Sequence, residues 1–171
     1  GKSIAERKVV EIITPGTAVE AEYLEGFKAN HLASLSISGG KVGFAYIDVT
    51  TGNFQATSWV ASKMEEFFPK ELNRASPSEL ILPLSLKKNS TIQNVLLSNP
   101  KIAVSYYPDW DFSLDFSYKK LTKQFGVNNL KAFLLDEKSC EVGPAGFLLD
   151  YLEKTTNANL LHIKSIKTSR N

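Results

Sequence analysis

Apolar and polar positions change rhythm twice along this chain. Residues 8–13 (KVVEII) form a short β-branched run, closed by the strong turn punctuation of Thr14-Pro15-Gly16-Thr17. Residues 18–29 read as a short acidic helix or an extended link, with Glu20, Glu22 and Glu25 facing solvent. A period of two then sets in. Residues 30–37 (NHLASLSI) place Ala33, Leu35 and Ile37 on one face and Ser34 and Ser36 on the other, the alternation of a strand. Ser38-Gly39-Gly40-Lys41 is a hairpin signal, because glycine takes the positive φ that a tight turn requires. Residues 42–50 (VGFAYIDVT) are apolar on both faces, as a central strand is. Thr51-Gly52-Asn53 turns the chain into a third strand over 54–60 (FQATSWV).

Beyond this point the period lengthens to that of a helix. Ser62 is placed to cap a helix over 62–75, with Met64, Phe67, Phe68 and Leu72 at helical spacing; Pro69 predicts a kink or a late start. A strand over 79–83 (ELILP), a polar loop through Lys87, Lys88, Asn89 and Ser90, a helix over 91–98 and a strand over 101–107 (KIAVSYY) follow. Asp111 is placed to cap a helix over 112–125, with Leu114, Tyr118, Leu121 and Phe125 on one stripe and Gly126 as its stop. The last helix, 142–154, lines up Ala145, Leu148, Leu149 and Leu152, with Pro144 suited to its first turn. Residues 156–171 are polar at first, then alternate again through Leu161, Ile163 and Ile166.

The order β-β-β-α-β-α-β-α-α predicts an α/β fold. Three antiparallel strands followed by βα units match a ribonuclease H-like mixed sheet with helices on both faces. Residues 1–29 form a leading segment outside the main core, 30–155 the domain itself, and 156–171 a link out of it. The chain opens on Gly1 rather than methionine and stops after Arg170-Asn171, so both ends are expected to be cut.

Composition narrows the function. Hydrophobic residues make up 43% of the 171, enough for a packed core. Lys plus Arg total 20 against 18 for Asp plus Glu, a formal charge of +2, and the signs are mixed. A surface that grips many phosphates carries a stronger basic excess or a clear stripe, so this is not a principal DNA-binding surface. Cys140 is the only cysteine, which excludes a disulfide framework and a cysteine-based zinc site. No apolar run approaches the roughly 20 residues of a membrane helix, and no signal-peptide layout stands at the N-terminus. The expected compartment is a reducing cytoplasm.

The strand order raises one sharp alternative, a free-standing ribonuclease H-like metal-dependent nuclease or resolvase. Two-metal hydrolysis needs carboxylates clustered from the first strand, the first helix and the end of the fourth strand. The first strand has no acid, and the fourth has only Glu79, at its beginning. Glu65, Glu66 and Asp48 do not make the triad alone, and read instead as solvated helix carboxylates and a strand-end Asp in a turn. Gly1-Lys2-Ser3 looks like the tail of a phosphate-binding loop, but nothing before it supplies the strand and the earlier glycine. Asp109 and Asp111 around Trp110 read as a loop ending in an N-cap, with Trp110 packing across the sheet edge. His31 and His162 read as satisfied strand-end histidines, and Cys140 as a passive, partly buried thiol. One surface feature survives. Lys119, Lys120, Lys123 and Gln124 project from the 112–125 helix away from its apolar stripe, a place for a polar protein contact or a weak DNA-backbone contact.

Local strings then carry a resemblance. Lys8-Val9-Val10-Glu11-Ile12-Ile13-Thr14-Pro15-Gly16-Thr17 closely resembles a signature of the bacterial mismatch-repair ATPases of the MutS family, where the mismatch-reading domain hands over to the connector, domain II. Asn30-His31-Leu32-Ala33-Ser34 and the run from Gly43 to Phe54 are similar to that family's "N-x-L-A-A" and "G-x-A-x-x-D-x-S-T-G-x-F" segments. Pro77-Ser78-Glu79-Leu80, Ala145-Gly146 with Leu148-Leu149-x-Tyr151, and Leu161-His162-Ile163 with Ser165-Ile166 resemble further family strings, in order. Pro144 replaces a common alanine, Thr50 a frequent serine, and Lys119 and Lys120 stand where relatives are often polar and uncharged. The resemblance implies a fragment of MutS without catalysis or cofactor of its own. The parent would be a homodimeric, DNA-dependent ATPase using ATP and Mg, and reading mismatched double-stranded DNA through another domain. The fragment would couple the mismatch-binding region to the ATPase and clamp regions and offer a docking surface to MutL, carried by Lys119, Lys120, Lys123 and Gln124.

Overall fold

The computed structural model describes residues 30–157 and 159–171. The turn expected at Pro15-Gly16 and the solvent-facing Glu20, Glu22 and Glu25 lie outside the described residues. Strands β1 (His31–Ser38), β2 (Lys41–Asp48) and β3 (Asn53–Val60) form an antiparallel meander. Strands β4 (Pro77–Pro83) and β5 (Ala103–Tyr107) extend it from β1 in parallel. A two-residue strand, β6 (Lys167–Thr168), runs parallel to the outer edge of β3, giving the order β5-β4-β1-β2-β3-β6. A meander continued by parallel crossovers is the ribonuclease H-like mixed α/β arrangement.

Alternation along each strand sorts side chains into two cores. Leu35, Phe44 and Trp59 point toward helices α1 (Met64–Ala75) and α2 (Ser90–Leu97). Leu32, Ile47 and Phe54 point the other way, toward α3 (Leu114–Phe125) and α4 (Val142–Thr155). Strand β2 is buried from Val42 to Asp48, as its two-sided apolar character predicts. Gly39 and Gly40 take φ of 59° and 74° in the β1–β2 hairpin, and Gly52 takes 78° in the β2–β3 turn.

Three local expectations are corrected. Ser62 does not cap α1: a 3₁₀ turn over Ala61–Lys63, tethered by Ala61 N–H to Gly40 O at 2.9 Å, leads in, and the helix starts at Met64 without a side-chain cap. The helix runs through exposed Pro69, whose missing N–H removes one bond near its first turns. Asp111 does not cap α3, because residues Asp109–Phe112 form their own 3₁₀ turn; Ser113 caps it, its hydroxyl accepting from Phe116 N–H at 3.4 Å. The same turn aims Trp110 outward, 76% exposed, and Phe112 inward, where its ring stacks on Phe147 at 4.2 Å. Gly126 ends α3 in the left-handed region as expected.

Helices α3 and α4 meet through small residues. A Cβ on Gly146 would lie 2.5 Å from Ser117 Cα, and the buried Ser117 hydroxyl donates to Gly143 O at 3.2 Å. Replacing Gly146 with alanine forces the helices apart in a close-packed interior. We predict a loss of about 1–3 kcal/mol of unfolding free energy for Gly146→Ala, read as a lower urea midpoint; an unchanged midpoint would refute this packing.

Candidate functional site

Helix α3 presents the basic face. Lys119 is exposed and lies 3.8 Å from Asp115 one turn earlier, a pairing that contributes little in water. Lys123 is also exposed. Lys120 is held instead between α3 and α4, 2.6 Å from Glu153 and 3.6 Å from Asp150, with a side chain only 17% exposed. Asp150 also binds Lys154 at 2.8 Å, which holds the Lys154 ammonium above its usual range. Gln124 faces the segment after α4, its amide donating to Leu160 O at 2.8 Å and Ile163 O at 2.9 Å. The four residues thus divide. Lys119 and Lys123 are open to a partner, while Lys120 and Gln124 fasten α3 to its neighbours.

The acids that a nuclease would need do not gather among the described residues. Asp48, buried at the end of β2, accepts from Thr50 N–H at 2.9 Å and so builds the turn. Glu79 accepts from Tyr151 OH at 3.0 Å; burial, then the Glu79 charge, pushes that phenol up. Glu65 and Glu66 are exposed on α1. Among the described residues no three His, Cys, Asp or Glu side chains gather into a metal-binding group.

Both histidines clasp the β2–β3 turn. His31 Nδ1 meets Ala75 O at 2.9 Å and its Nε2 meets the Asn53 amide at 3.0 Å, while His162 Nε2 meets Val49 O. Asn53 accepts in turn from Gln55, and Gln55 from Tyr46 OH. The tautomer that donates from His31 Nδ1 to Ala75 O and accepts at Nε2 from the Asn53 amide gives every member of this chain a complementary partner.

Asp109 accepts from Ser85 N–H at 3.0 Å and borders a cavity of about 190 Å³ at the carboxyl ends of β1 and β4, with Ser36, Ser38, Pro83 and Ser113. Cys140 is buried just before α4, and its carbonyl would collide with any Cβ on Gly43.

Sequence reasoning missed two buried carboxylates. Glu71 and Glu141 are each 1% exposed, on opposite faces of the sheet. Arg170 Nε approaches Glu141 at 3.4 Å and Arg170 Nη2 donates to Leu134 O at 2.7 Å. The Asn171 amide donates to Glu71 at 2.9 Å and Thr57 at 3.1 Å, and Arg74 adds a contact to Glu71 at 3.7 Å. Glu71 carried a signal, since it falls on the stripe that buries Met64, Phe68, Leu72 and Ala75. Glu141 carried none, as its counter-ion Arg170 lies far along the chain.

The chain is thus a ribonuclease H-like mixed α/β domain whose first strand holds no acid and whose Asp48 and Glu79 serve turn and packing contacts. A family model described as MutS domain II matches residues 30–164. The chain belongs to the MutS domain II family. It is 42% identical to the DNA mismatch repair protein MutS of Treponema denticola over 96% of its length, and that match spans 20% of the relative. The proteins of the same description from Treponema pallidum (strain Nichols) and Salinibacter ruber are 34% and 32% identical, over 95% and 96% of this chain and 18% of each relative. The chain therefore spans about a fifth of the length of the curated relatives it matches. Among the described residues, no helix is long and apolar enough to cross a membrane.

Burial, followed by the Glu141 carboxylate, pushes the Cys140 thiol up from 9.0 to about 11. The thiol form is favoured, so at neutral pH the reactive thiolate fraction should fall about a hundredfold below that of a free cysteine. We predict correspondingly slow labelling by a thiol-specific disulfide reagent, recovering in denaturant; labelling as fast as free cysteine would contradict the buried placement.

Proposed function

We propose that this domain is the non-catalytic connector of a MutS protein acting in DNA mismatch repair. It joins the mismatch-reading region to the ATPase and clamp regions, and moves between them as one body. One observation carries the reading: the family match covers residues 30–164, while the first strand holds no acid and the remaining candidates, Asp48 at the end of β2 and Glu79 near the start of β4, serve turn and packing contacts. The parent is proposed to be a homodimer in the cytoplasm that binds mismatched double-stranded DNA and uses ATP and Mg elsewhere in its length; this domain holds no cofactor of its own. A body that must transmit a rotation benefits from a sheet packed on both faces, because such interiors deform little.

The docking surface for MutL is proposed on α3, centred on exposed Lys119 and Lys123, with Lys120 and Gln124 holding the helix in place. Reversing two exposed charges alters electrostatic complementarity without disturbing a core. In the full-length protein, Lys119→Glu with Lys123→Glu should weaken MutL recruitment by about tenfold, some 1.4 kcal/mol, with mismatch affinity unchanged. Unaltered recruitment would move the surface elsewhere.

The isolated 171-residue chain should turn over no ATP, cleave neither DNA nor RNA with Mg²⁺ or Mn²⁺, and bind DNA only weakly, with steep loss in salt. ATP turnover, or cleavage that disappears in Asp48→Asn, would overturn the connector reading, and the latter would favour the nuclease.

A further inference from the structure

The segment after α4 takes a path that the rest of the fold does not require. Helix α4 ends at Thr155, near the end of the sheet where β1 begins; Tyr151 on its last turns bonds Glu79 at the start of β4, and His162 bonds Val49 beside the β2–β3 turn. From there the chain climbs the bare edge of β3. Ile163 and Ile166 are buried, β6 pairs Lys167 and Thr168 with Gln55 and Ala56, and Ser169 and Asn171 N–H donate to Ala56 O and Ser58 O at 3.0 and 2.9 Å. The rise from Asn53 to Ser58 carries it about 17 Å, to the opposite end of the sheet. Ile163 and Ile166 seat its first part in the core, while from Lys167 onward the grip is polar: Thr168 donates to Phe133 O at 2.7 Å, Arg170 pairs with Glu141, and Asn171 bonds Glu71.

We infer that residues 167–171 form a releasable strap, latched by the Arg170–Glu141 and Asn171–Glu71 pairs, whose attachment decides from which end of the sheet the chain leaves the domain. Attached, it places Asn30 and Asn171 at opposite ends, so that a pull passes through the whole sheet. Released from its far end, it leaves the segment hanging from the end where β1 begins, with both carboxylates open to water. The latch is cooperative with attachment for a physical reason. With the strap bound, a carboxylate at Glu141 without Arg170 is a buried charge lacking its counter-ion; with the strap free, water solvates it. Ladder bonds at an edge strand open locally, at lower cost than bonds between central strands. Its consequence for a pull rests on the connector reading, whereas the latch itself is testable in this chain alone.

Amide hydrogen exchange of the 171-residue chain, resolved residue by residue, tests it. In the parent, Ser169 and Asn171 amides should be protected, but less than Phe44 and Ala45 in β2. Arg170→Ala should accelerate Ser169 and Asn171 by about tenfold or more, with Phe44 and Ala45 unmoved. Arg170→Lys, which keeps the charge, should accelerate them less. Adding Glu141→Gln to Arg170→Ala should restore part of the protection, since a neutral amide needs no counter-ion. Unprotected strap amides in the parent would overturn the proposal, as would strap and β2 amides accelerating together. Equal exchange in Arg170→Ala and the double variant would overturn it too, because Glu141 would then be no part of the latch.

Discussion

A sheet covered by helices on both faces has only its two edges left to manage, and in this domain the edge at β3 is where the polar cost concentrates. Two carboxylates, Glu71 and Glu141, sit almost wholly out of water on either side of that edge. Neighbouring residues just beyond β6 reach them on the two faces: Arg170 lies 3.4 Å from Glu141 as its counter-ion, and the Asn171 amide donates to Glu71. Removing one partner of a wholly buried ion pair costs about 3–5 kcal/mol; Arg170 is half-exposed, so its loss costs less. The same pair adds little when intact, so its value is in fixing one path for the segment that closes the edge.

The interior explains why the body can behave as a unit. Leu35, Phe44, Trp59 and Phe68 fill one core; Ile47, Phe112, Phe147 and Leu148 fill the other. The segment leading into α4 approaches β2 closely at Gly43, and α4 approaches α3 closely at Gly146, which leaves little room for sliding. The histidine clasp around Asn53 and Val49 ties the start of β1, the end of α1 and the segment after α4 to one turn. Under the proposed connector role, movement would fall on the chain segments that join the body to its surroundings, rather than on the layers within it.

Much of this was legible from periodicity alone. The meander, the two-sided burial of β2, the Gly126 stop and the helices on both faces follow from local alternation and turn chemistry. The misplaced caps at Ser62 and Asp111 share a cause: each stands in a 3₁₀ turn ahead of the helix, and tertiary tethers such as Ala61 N–H to Gly40 O set where the helix begins. Trp110 was expected to pack, and the geometry of that turn gave the interior to Phe112 instead. On α3 the sequence located the basic residues, but only the packing of α4 and residues 160–163 separates open Lys119 and Lys123 from engaged Lys120 and Gln124. The role of residues 167–171 was least legible, because pairing with β3 and bonds to Glu71 and Glu141 are long-range facts with no local signal.

The central claim is that the domain is a single body with the segment after α4 bound along β3. It is tested most directly by a pulsed spin-label distance measurement between Lys101, beside the start of β5, and Ser169, on the strap, each replaced by a labelled cysteine in a Cys140→Ala background. The account predicts one narrow distance population, reflecting a strap fixed to the far edge of the sheet. A broad distribution spanning tens of ångströms would show that the segment is not held there, and would contradict the account.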